Sequence, residues 1–448
     1  MNKIILFFPK YETKARLLPM SLLSISTSLI DKGYNVKIID QRTDKEWKST
    51  LIKELNKNPL IFGVSALTGK QISNGLEASK IVKENSNAPV VWGGVHASLL
   101  PKQTLENKYI DFVIIGEGEI SFLELVNKLK SKEPFKNIKG LGYKEKKETF
   151  INPEREFINL NNLPSTPYDL INIEDYINQK SMATGRPARN IAFYTSRGCP
   201  HRCAFCYNKE FNKRRWRGKS AERVVQEMEE LIKKHNIKSF DIEDDEFFVD
   251  IERAKKISEL IIKKNLNIEI FTTCRVNYVA NNMDDDYLKL LYKAGFRTLA
   301  FGIESGSERI LNLINKDITI DQIFETIKRL KKANINSKYY FMTGFPTETI
   351  EDVYKTTDLI YKMKKTDPQI RIPSWRIFTP YPGTGLYNLS IKEGWEPPKS
   401  LEGWANYNFE KIKMPWVKTK KKRIIKNVSF LINYIEIEKT KGSGAFFK

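Results

Sequence analysis

Short apolar runs recur along the chain at residues 4–8, 36–39, 60–65, 90–92 and 112–115. Between them lie longer stretches, such as 17–31 and 121–130, with apolar residues at helical spacing. Brief, continuously apolar runs that alternate with helices predict a parallel sheet covered on both faces. Five such units predict an α/β, flavodoxin-like (Rossmann-type) domain over residues 1–145. In that architecture ligands bind beyond the carboxyl ends of the strands.

Prolines 134, 153, 164, 167 and 187 then interrupt the pattern, and residues 140–143 with 149–152 suggest a small hairpin. This region is expected to connect two domains, with residues 146–188 as the linker. The alternation resumes with strand patterns at 191–195, 239–242, 268–273, 298–303, 338–342 and 371–378. Helical patterns at 221–234, 251–264, 285–294, 320–333 and 350–364 separate them. Six strand–helix units predict a partial (β/α)6 barrel over 189–385, with its reactive groups at the carboxyl strand ends. Residues 386–448 break the pattern and read as a small helical extension.

The strand ends of the first domain carry distinctive residues. They are Asp40 and Arg42 after the second strand, Leu67, Thr68 and Gly69 after the third, and Gly93, Gly94 and His96 after the fourth. Gly116, Glu117, Gly118 and Glu119 follow the fifth. Glycines there either let backbone approach a ligand closely or only serve the turns. His96 is open to both readings, ligand contact and turn packing.

Directly after the first barrel strand comes SRGCPHRCAFCYN, residues 196–208, with Cys199, Cys203 and Cys206. Three thiolates within eight residues can converge on one metal centre. Structural zinc wants a fourth protein ligand. His201 lies awkwardly inside the first gap and Cys274 is distant in sequence. A four-iron cluster held by three cysteines keeps one iron open, and this is the favoured reading over zinc. Cys274 itself reads as a small buried hydrophobe.

Composition sets only loose bounds. The chain has 448 residues, 41% of them hydrophobic, enough for two or three domain cores. Lysine and arginine outnumber aspartate and glutamate by 75 to 54, a formal charge of +21. Such a surplus can mark a nucleic-acid, membrane or anionic-substrate surface, or be a compositional bias, since the lysines are spread along the whole chain; the charge alone does not decide. No apolar stretch approaches the ~18 residues of a membrane span. Four cysteines, three of them clustered, are no disulfide framework. A soluble protein of a reducing cytoplasm is expected. The run 418–426 is strongly basic and leads into apolar 428–435. It is either a docking helix with a solvated end or a membrane-surface contact that would make the protein peripheral. No nucleic-acid-binding module is recognisable, so no nucleic-acid partner is expected.

The C-x3-C-x2-C spacing, with Phe205 just before the last cysteine, resembles the signature of the radical S-adenosylmethionine (SAM) superfamily. SFDIEDDEFF (239–248), TTCRVN (272–277), FGIESGSE (301–308), MTGFPTET (342–349) and FTPYPGTGLY (378–387) resemble its second to sixth strand segments, in order. LPMSLLSISTSLIDKGYNVKIID (18–40), WGGVHAS (92–98) and IIGEGE (114–119) resemble the cobalamin-binding domain that precedes the barrel in one large subgroup. The resemblance implies a 4Fe-4S cluster on Cys199, Cys203 and Cys206. It implies SAM seated by Phe205, Asp244, Asp245, Arg275, Glu304, Gly344 and Tyr381, with Glu243–Glu246 replacing the usual Gly-Gly-Glu. It implies cobalamin held by Asp40, Arg42, Leu67, Thr68, Gly69, Gly93, Gly94, His96 and Gly116 to Glu119. The cobalt-ligating histidine of many cobalamin domains is missing after Asp40.

The implied reaction uses one SAM to methylate cobalamin and a second to make a 5′-deoxyadenosyl radical. The product would be a carbon-methylated small-molecule, lipid or peptide substrate. An external electron donor of flavodoxin or ferredoxin type would be the partner. The alternatives are the same build without methyl transfer (cyclisation, ring contraction, oxidation or epimerisation) and a non-catalytic corrinoid or metal carrier. Methylthiotransferases need three further cysteines for a second cluster, and only Cys274 is left here.

Overall fold

A computed structural model describes residues 2–11, 17–146, 148–373, 375–407 and 414–440. The chain divides into two compact units, Met1–Ile177 with Pro397–Ile412 and Asn178–Glu396 with Lys413–Lys448. The boundaries differ from those the sequence suggests, because hydrogen bonds draw the expected linker and extension into the two units.

The first unit is built on seven strands: β1 (Lys3–Phe8), β2 (Asn35–Asp40), β3 (Ile61–Ser65), β4 (Val90–Gly93), β5 (Phe112–Ile114), β6 (Leu141–Glu145) and β7 (Glu148–Ile151). Their order is β2-β1-β3-β4-β5-β6-β7. The first five are parallel, in the flavodoxin-like order. Ile4, Ile5, Leu6, Ile61, Phe62, Val90 and Trp92 are fully buried, as strands covered on both faces require. The hairpin expected in the connection is β6 and β7. It joins the sheet because β6 pairs antiparallel with β5, Ile114 beside Leu141. Residues 397–407 return to this unit, where Trp404 donates its indole N–H to Gln103 Oε1 at 2.7 Å and Asn107 donates to Glu402 at 2.6 Å.

The second unit carries β8 (Asn178–Lys180), β9 (Pro187–Phe193), the short ribbon β10 (Ser196–Arg197) with β11 (Arg217–Gly218), then β12 (Ser239–Ile242), β13 (Glu269–Thr273), β14 (Phe296–Glu304), β15 (Asn336–Thr343) and β16 (Trp375–Ile377). The main sheet runs β16-β15-β14-β13-β12-β9-β8. Six strands are parallel and lie in chain order, the expected half-barrel, and β8 closes one edge antiparallel to β9. The intervening helices start where side-chain oxygens take up orphan N–H groups. Ser220, Asp250 and Asp284 each cap a helix, and Thr319 with Gln322 and Thr349 with Asp352 form capping boxes.

The basic run is not wholly a solvated face. Lys421 is buried and donates to the Glu348 carbonyl at 2.6 Å, with Glu348 Oε2 at 2.9 Å. No helix among the described residues is long and apolar enough to cross a membrane.

Gly295 ends the helix Asp285–Ala294 in the left-handed region, φ +107°. A Cβ there would stand 2.3 Å from the carbonyl oxygen of Ile268. Gly185, φ +77°, has only the flexible end of Lys180 nearby, at 3.6 Å. Gly295→Ala should therefore destabilise the second unit by about 1–3 kcal/mol, and Gly185→Ala by no more than ~1 kcal/mol. Chemical denaturation followed by far-ultraviolet circular dichroism checks this, and equal losses would contradict it.

Candidate functional site

The cysteine loop begins where β9 ends, and its shape is imposed by carboxylates from the end of β12. Asp244 Oδ1 accepts the Thr195 N–H at 2.6 Å, and Oδ2 accepts both the Thr195 hydroxyl and the Ser196 hydroxyl, the latter at 2.6 Å. Asp245 Oδ2 accepts the Gly198 N–H at 2.8 Å. Gly198 has φ +86°, and a Cβ there would lie 2.0 Å from the Arg215 carbonyl, so only glycine fits. Farther along, Ala204 donates its N–H to Ile314 O at 2.8 Å and accepts the Leu386 N–H at 3.0 Å. Arg202 and Asp317 form a two-pronged ion pair at 2.9 Å. His201 is engaged by the Tyr278 hydroxyl at 3.0 Å.

This bracing presents Cys199, Cys203 and Cys206 together at the carboxyl ends of the strands. Cys203 is buried and the other two are half-buried. Burial pushes the Cys199 thiol up to about 12 and the Cys206 thiol up to about 11. Such thiols deprotonate when a cation binds them. Arg275, just beyond β13, aims a guanidinium N–H at Cys203 Sγ, 3.6 Å away, and donates another to the Lys316 carbonyl. Among the described residues, no group of three or more His, Cys, Asp or Glu side chains is set to hold a metal ion. The fit for a larger iron–sulfur centre rests on the donor set, three clustered thiols with a guanidinium donor on one of them.

Around the loop stand the other expected SAM residues. Glu304 ends β14 with φ +69°, a strained backbone for a non-glycine residue, and it pairs with Lys316 at 3.0 Å. Both are buried. The Lys316 ammonium lies 5.9 Å from the centre of the Phe205 ring, and Phe345 packs on that ring at 6.2 Å. Gly344, φ +83°, follows β15 and is held by Glu348 Oε2 at 2.7 Å. The Tyr381 carbonyl accepts the Thr384 hydroxyl at 2.9 Å in the turn after β16.

One residue escaped the sequence reading, and a second was named there only as part of the Glu243–Glu246 run. Lys316 was not singled out; Asn315 (φ +49°) and Asp317 (φ +52°) flank it in left-handed conformations, and its side chain is buried. Glu246 is buried and its carboxyl is pushed up to about 8 by burial. Its position in the Glu-Asp-Asp-Glu run was the available signal.

At the carboxyl edge of the first sheet, the expected cobalamin residues fall into two groups. Some are occupied within the protein. Asp40 accepts from the Arg42 backbone and guanidinium at 2.9 Å and from the Tyr176 hydroxyl at 2.7 Å. The Arg42 guanidinium also sits 4.3 Å over the Phe8 ring. Glu117 accepts the Ile158 N–H at 3.1 Å, and Glu119 accepts the Ser24 hydroxyl at 2.6 Å. Gly94 serves its turn, because a Cβ would stand 2.7 Å from the Ala66 carbonyl. Gly118 caps the next helix beside Ile25. The others leave room. Leu67 is 52% exposed, Gly93 has only Ile114 near it at 3.9 Å, and Gly116 faces open space. Gly69, φ +111°, opens the following helix but has less room, since a Cβ would stand 3.3 Å from the Tyr407 carbonyl oxygen.

His96 is fully buried. Its Nδ1 meets the Thr68 hydroxyl at 2.9 Å, its ring packs edge-on to Trp404 at 5.8 Å, and its Nε2 has no partner. Burial lowers it to about 4, so it is neutral at physiological pH.

Residues 12–126 match the B12 binding domain family, and residues 193–360 match the Radical SAM superfamily. The chain is 36% identical over 398 residues to an uncharacterized methyltransferase of Pyrococcus horikoshii, covering 87% of this chain and 83% of that one. It is 28% identical to the anaerobic magnesium-protoporphyrin IX monomethyl ester cyclase of Cereibacter sphaeroides, over 79% of this chain and 57% of that one. Among solved structures, the fold superposes with a TM-score of 0.74 on the radical SAM methyltransferase TsrM of Kitasatospora setae, at 16% identity. That match covers 96% of this chain and 89% of that one. The chain belongs to the radical SAM family whose members carry an N-terminal B12-binding domain.

Proposed function

We propose that the protein is a cobalamin-dependent radical SAM methyltransferase that methylates an unactivated carbon. The observation that carries this is the braced three-cysteine loop, with Arg275 on Cys203 and the Lys316–Glu304 pair beside it. The methyltransferase relative, which spans both units, and a cobalamin- and 4Fe-4S-bound methyltransferase of the same fold support it. When bound, the cluster with SAM supplies a 5′-deoxyadenosyl radical and cobalamin supplies the methyl group, chemistry no side chain offers.

The chain's own residues do the holding. Cys199, Cys203 and Cys206 bind the cluster, and Arg275 donates a guanidinium N–H to Cys203 Sγ. Phe205 with Phe345 gives SAM an aromatic wall. Glu304, pinned by Lys316, offers acceptor oxygens to the ribose hydroxyls. Asp244 keeps the loop in shape rather than meeting SAM, and Glu246 or the outer oxygen of Asp245 takes the ammonium. Leu67, Gly69, Gly93 and Gly116 seat the corrinoid. A flavodoxin- or ferredoxin-type protein would deliver electrons. Ring closure in place of methyl transfer is the second reading, supported by the cyclase relative.

Anaerobic protein reconstituted with iron, sulfide and cobalamin, given reductant and SAM with a deuterated methyl group, should pass the label to its corrinoid fraction. Mass spectrometry reads this. Cleavage of SAM to 5′-deoxyadenosine without label in the corrinoid would move the ring-closure reading ahead. Failure to retain cobalamin would sink the assignment of the first unit.

Asp244→Ala should strip the loop of three hydrogen bonds and leave the Thr195 and Ser196 groups unpaired in the interior. Iron retained after desalting should drop severalfold, while secondary structure by circular dichroism stays intact. Lys316→Met should keep iron but weaken SAM binding by about tenfold, the effect of losing ~1.4 kcal/mol. Unchanged SAM affinity would remove Lys316 and Glu304 from the site.

A further inference from the structure

The half-barrel sheet has two faces of opposite character. Ile191, Phe193, Phe240 and Ile242 lie on one, where Phe193 and Phe240 meet edge to face at 5.4 Å, and Phe301 stacks on Tyr339 at 5.3 Å. These pack against the helices. The register puts the alternate positions on the concave face. Asn190 stands beside Ser239, Ala192 beside Asp241, Asp241 beside Phe271, and Ala300 beside Lys338.

The span between β8 and β9 floors this concave side at the amino ends of the strands. Ser181 bonds to Ser239 at 2.9 Å, Ala183 accepts from the Thr298 hydroxyl, and Met182 O accepts from Lys338 Nζ at 3.1 Å. Ala183 packs with Phe271 and Ala300. At the other end, Glu243 is followed directly by Asp244, the anchor of the cysteine loop.

Two polar side chains on this face are buried without a full set of partners. Asn190 is fully buried, and neither its amide oxygen nor its amide nitrogen has a partner. Asp241 is 5% exposed and its Oδ1 has none. Glu243 is the neighbouring carboxylate, and burial together with its charge raises the Asp241 carboxyl. The Lys338 ammonium is turned to Met182 O and to the Phe271 ring, 4.5 Å away.

We propose that this concave pocket takes hold of the substrate by a primary amino group, with Asn190, Asp241 and Glu243 as the residues that select it. The inference rests on the second unit being the catalytic one. An anionic group would meet the Asp241–Glu243 pair as a like charge. An apolar group would leave all three atoms unpaired. An ammonium donates three hydrogens, which Asp241 Oδ1, the Asn190 oxygen and the acid pair can accept. An oxygen next to the amine would accept from the Asn190 N–H. The substrate class is therefore an amino compound with a neighbouring hydroxyl or carbonyl.

Three isosteric probes test this on the reconstituted holoprotein without turnover, by calorimetry or ligand-observed NMR: ethanolamine, ethylene glycol and glycolate. Ethanolamine should bind saturably and at least tenfold more tightly than the other two. Asp241→Asn and Asn190→Leu should each weaken it at least tenfold, with iron content and circular dichroism unchanged. Glu243→Gln, which keeps shape and removes the charge, should weaken it as well. Comparable binding of ethylene glycol or glycolate, insensitivity to the substitutions, or no saturable ethanolamine binding would each overturn the proposal. Because no methyl transfer is read, failure here and failure of the methyltransferase reading are separate results.

Discussion

The carboxylate of Asp244 ties the second unit together at the point where chemistry is expected. It sits at the end of one strand and grips the first residues beyond the neighbouring strand, through Thr195 N–H, the Thr195 hydroxyl and the Ser196 hydroxyl. A buried carboxylate is costly unless its lone pairs are filled, and here three donors fill them. The cost of burial is thereby converted into a fixed loop start. Ser196 and Arg197 then pair with Gly218 and Arg217, and Gly198 turns the chain under Asp245. Only after these constraints do the cysteines begin. Remove the carboxylate and the loop keeps its sequence but loses the geometry that makes three thiols one site.

The alternation of apolar runs was enough to read both sheets, because parallel strands buried on both faces carry their signature in every residue. What the pattern could not carry was contact between distant segments. The β6–β7 hairpin was visible as a hairpin, yet its pairing with β5 depends on Leu141 and Tyr143 meeting the edge of a sheet already built. The return of residues 397–407 depends on Trp404 finding Gln103. The Glu243–Glu246 run was legible as chemistry, but not its division of labour. Which carboxylate braces and which stays available is decided by backbone N–H groups some fifty positions earlier. Lys316 had no local signal at all. Its side chain is buried and its neighbours, Asn315 and Asp317, take left-handed conformations that no periodicity announces.

The rim of the first sheet shows the same separation of roles. Asp40, Arg42, Glu117 and Glu119 were expected as ligand contacts from the resemblance to cobalamin-binding domains. Their polar atoms go largely to each other or to the chain, with Arg42 also resting on Phe8. Polar residues that saturate one another stiffen loops; they do not advertise a ligand. The positions with open space are the small and apolar ones, Gly93, Gly116 and Leu67. A rim of that kind suits a broad flat molecule held by contact area more than by hydrogen bonds. It also fits a strand end that lacks a histidine for cobalt.

Taken with the half-barrel, this gives a consistent division between stiffness and reception. Where polar groups are satisfied internally, as at Asp244 or Asp40, the protein is fixing backbone. Where buried polar atoms are left unsatisfied, as at Asn190 and Asp241, packing alone gives no reason to keep them. Apolar residues would serve the sheet better there, as Ile191 and Phe240 do on the opposite face. The two faces share the same strands and backbone hydrogen bonds. The difference between them therefore lies in what each face is built to meet. The outer one meets helices. The inner one, floored by Ala183, retains acceptors and a donor at fixed positions, the arrangement expected of a surface that waits for a polar ligand.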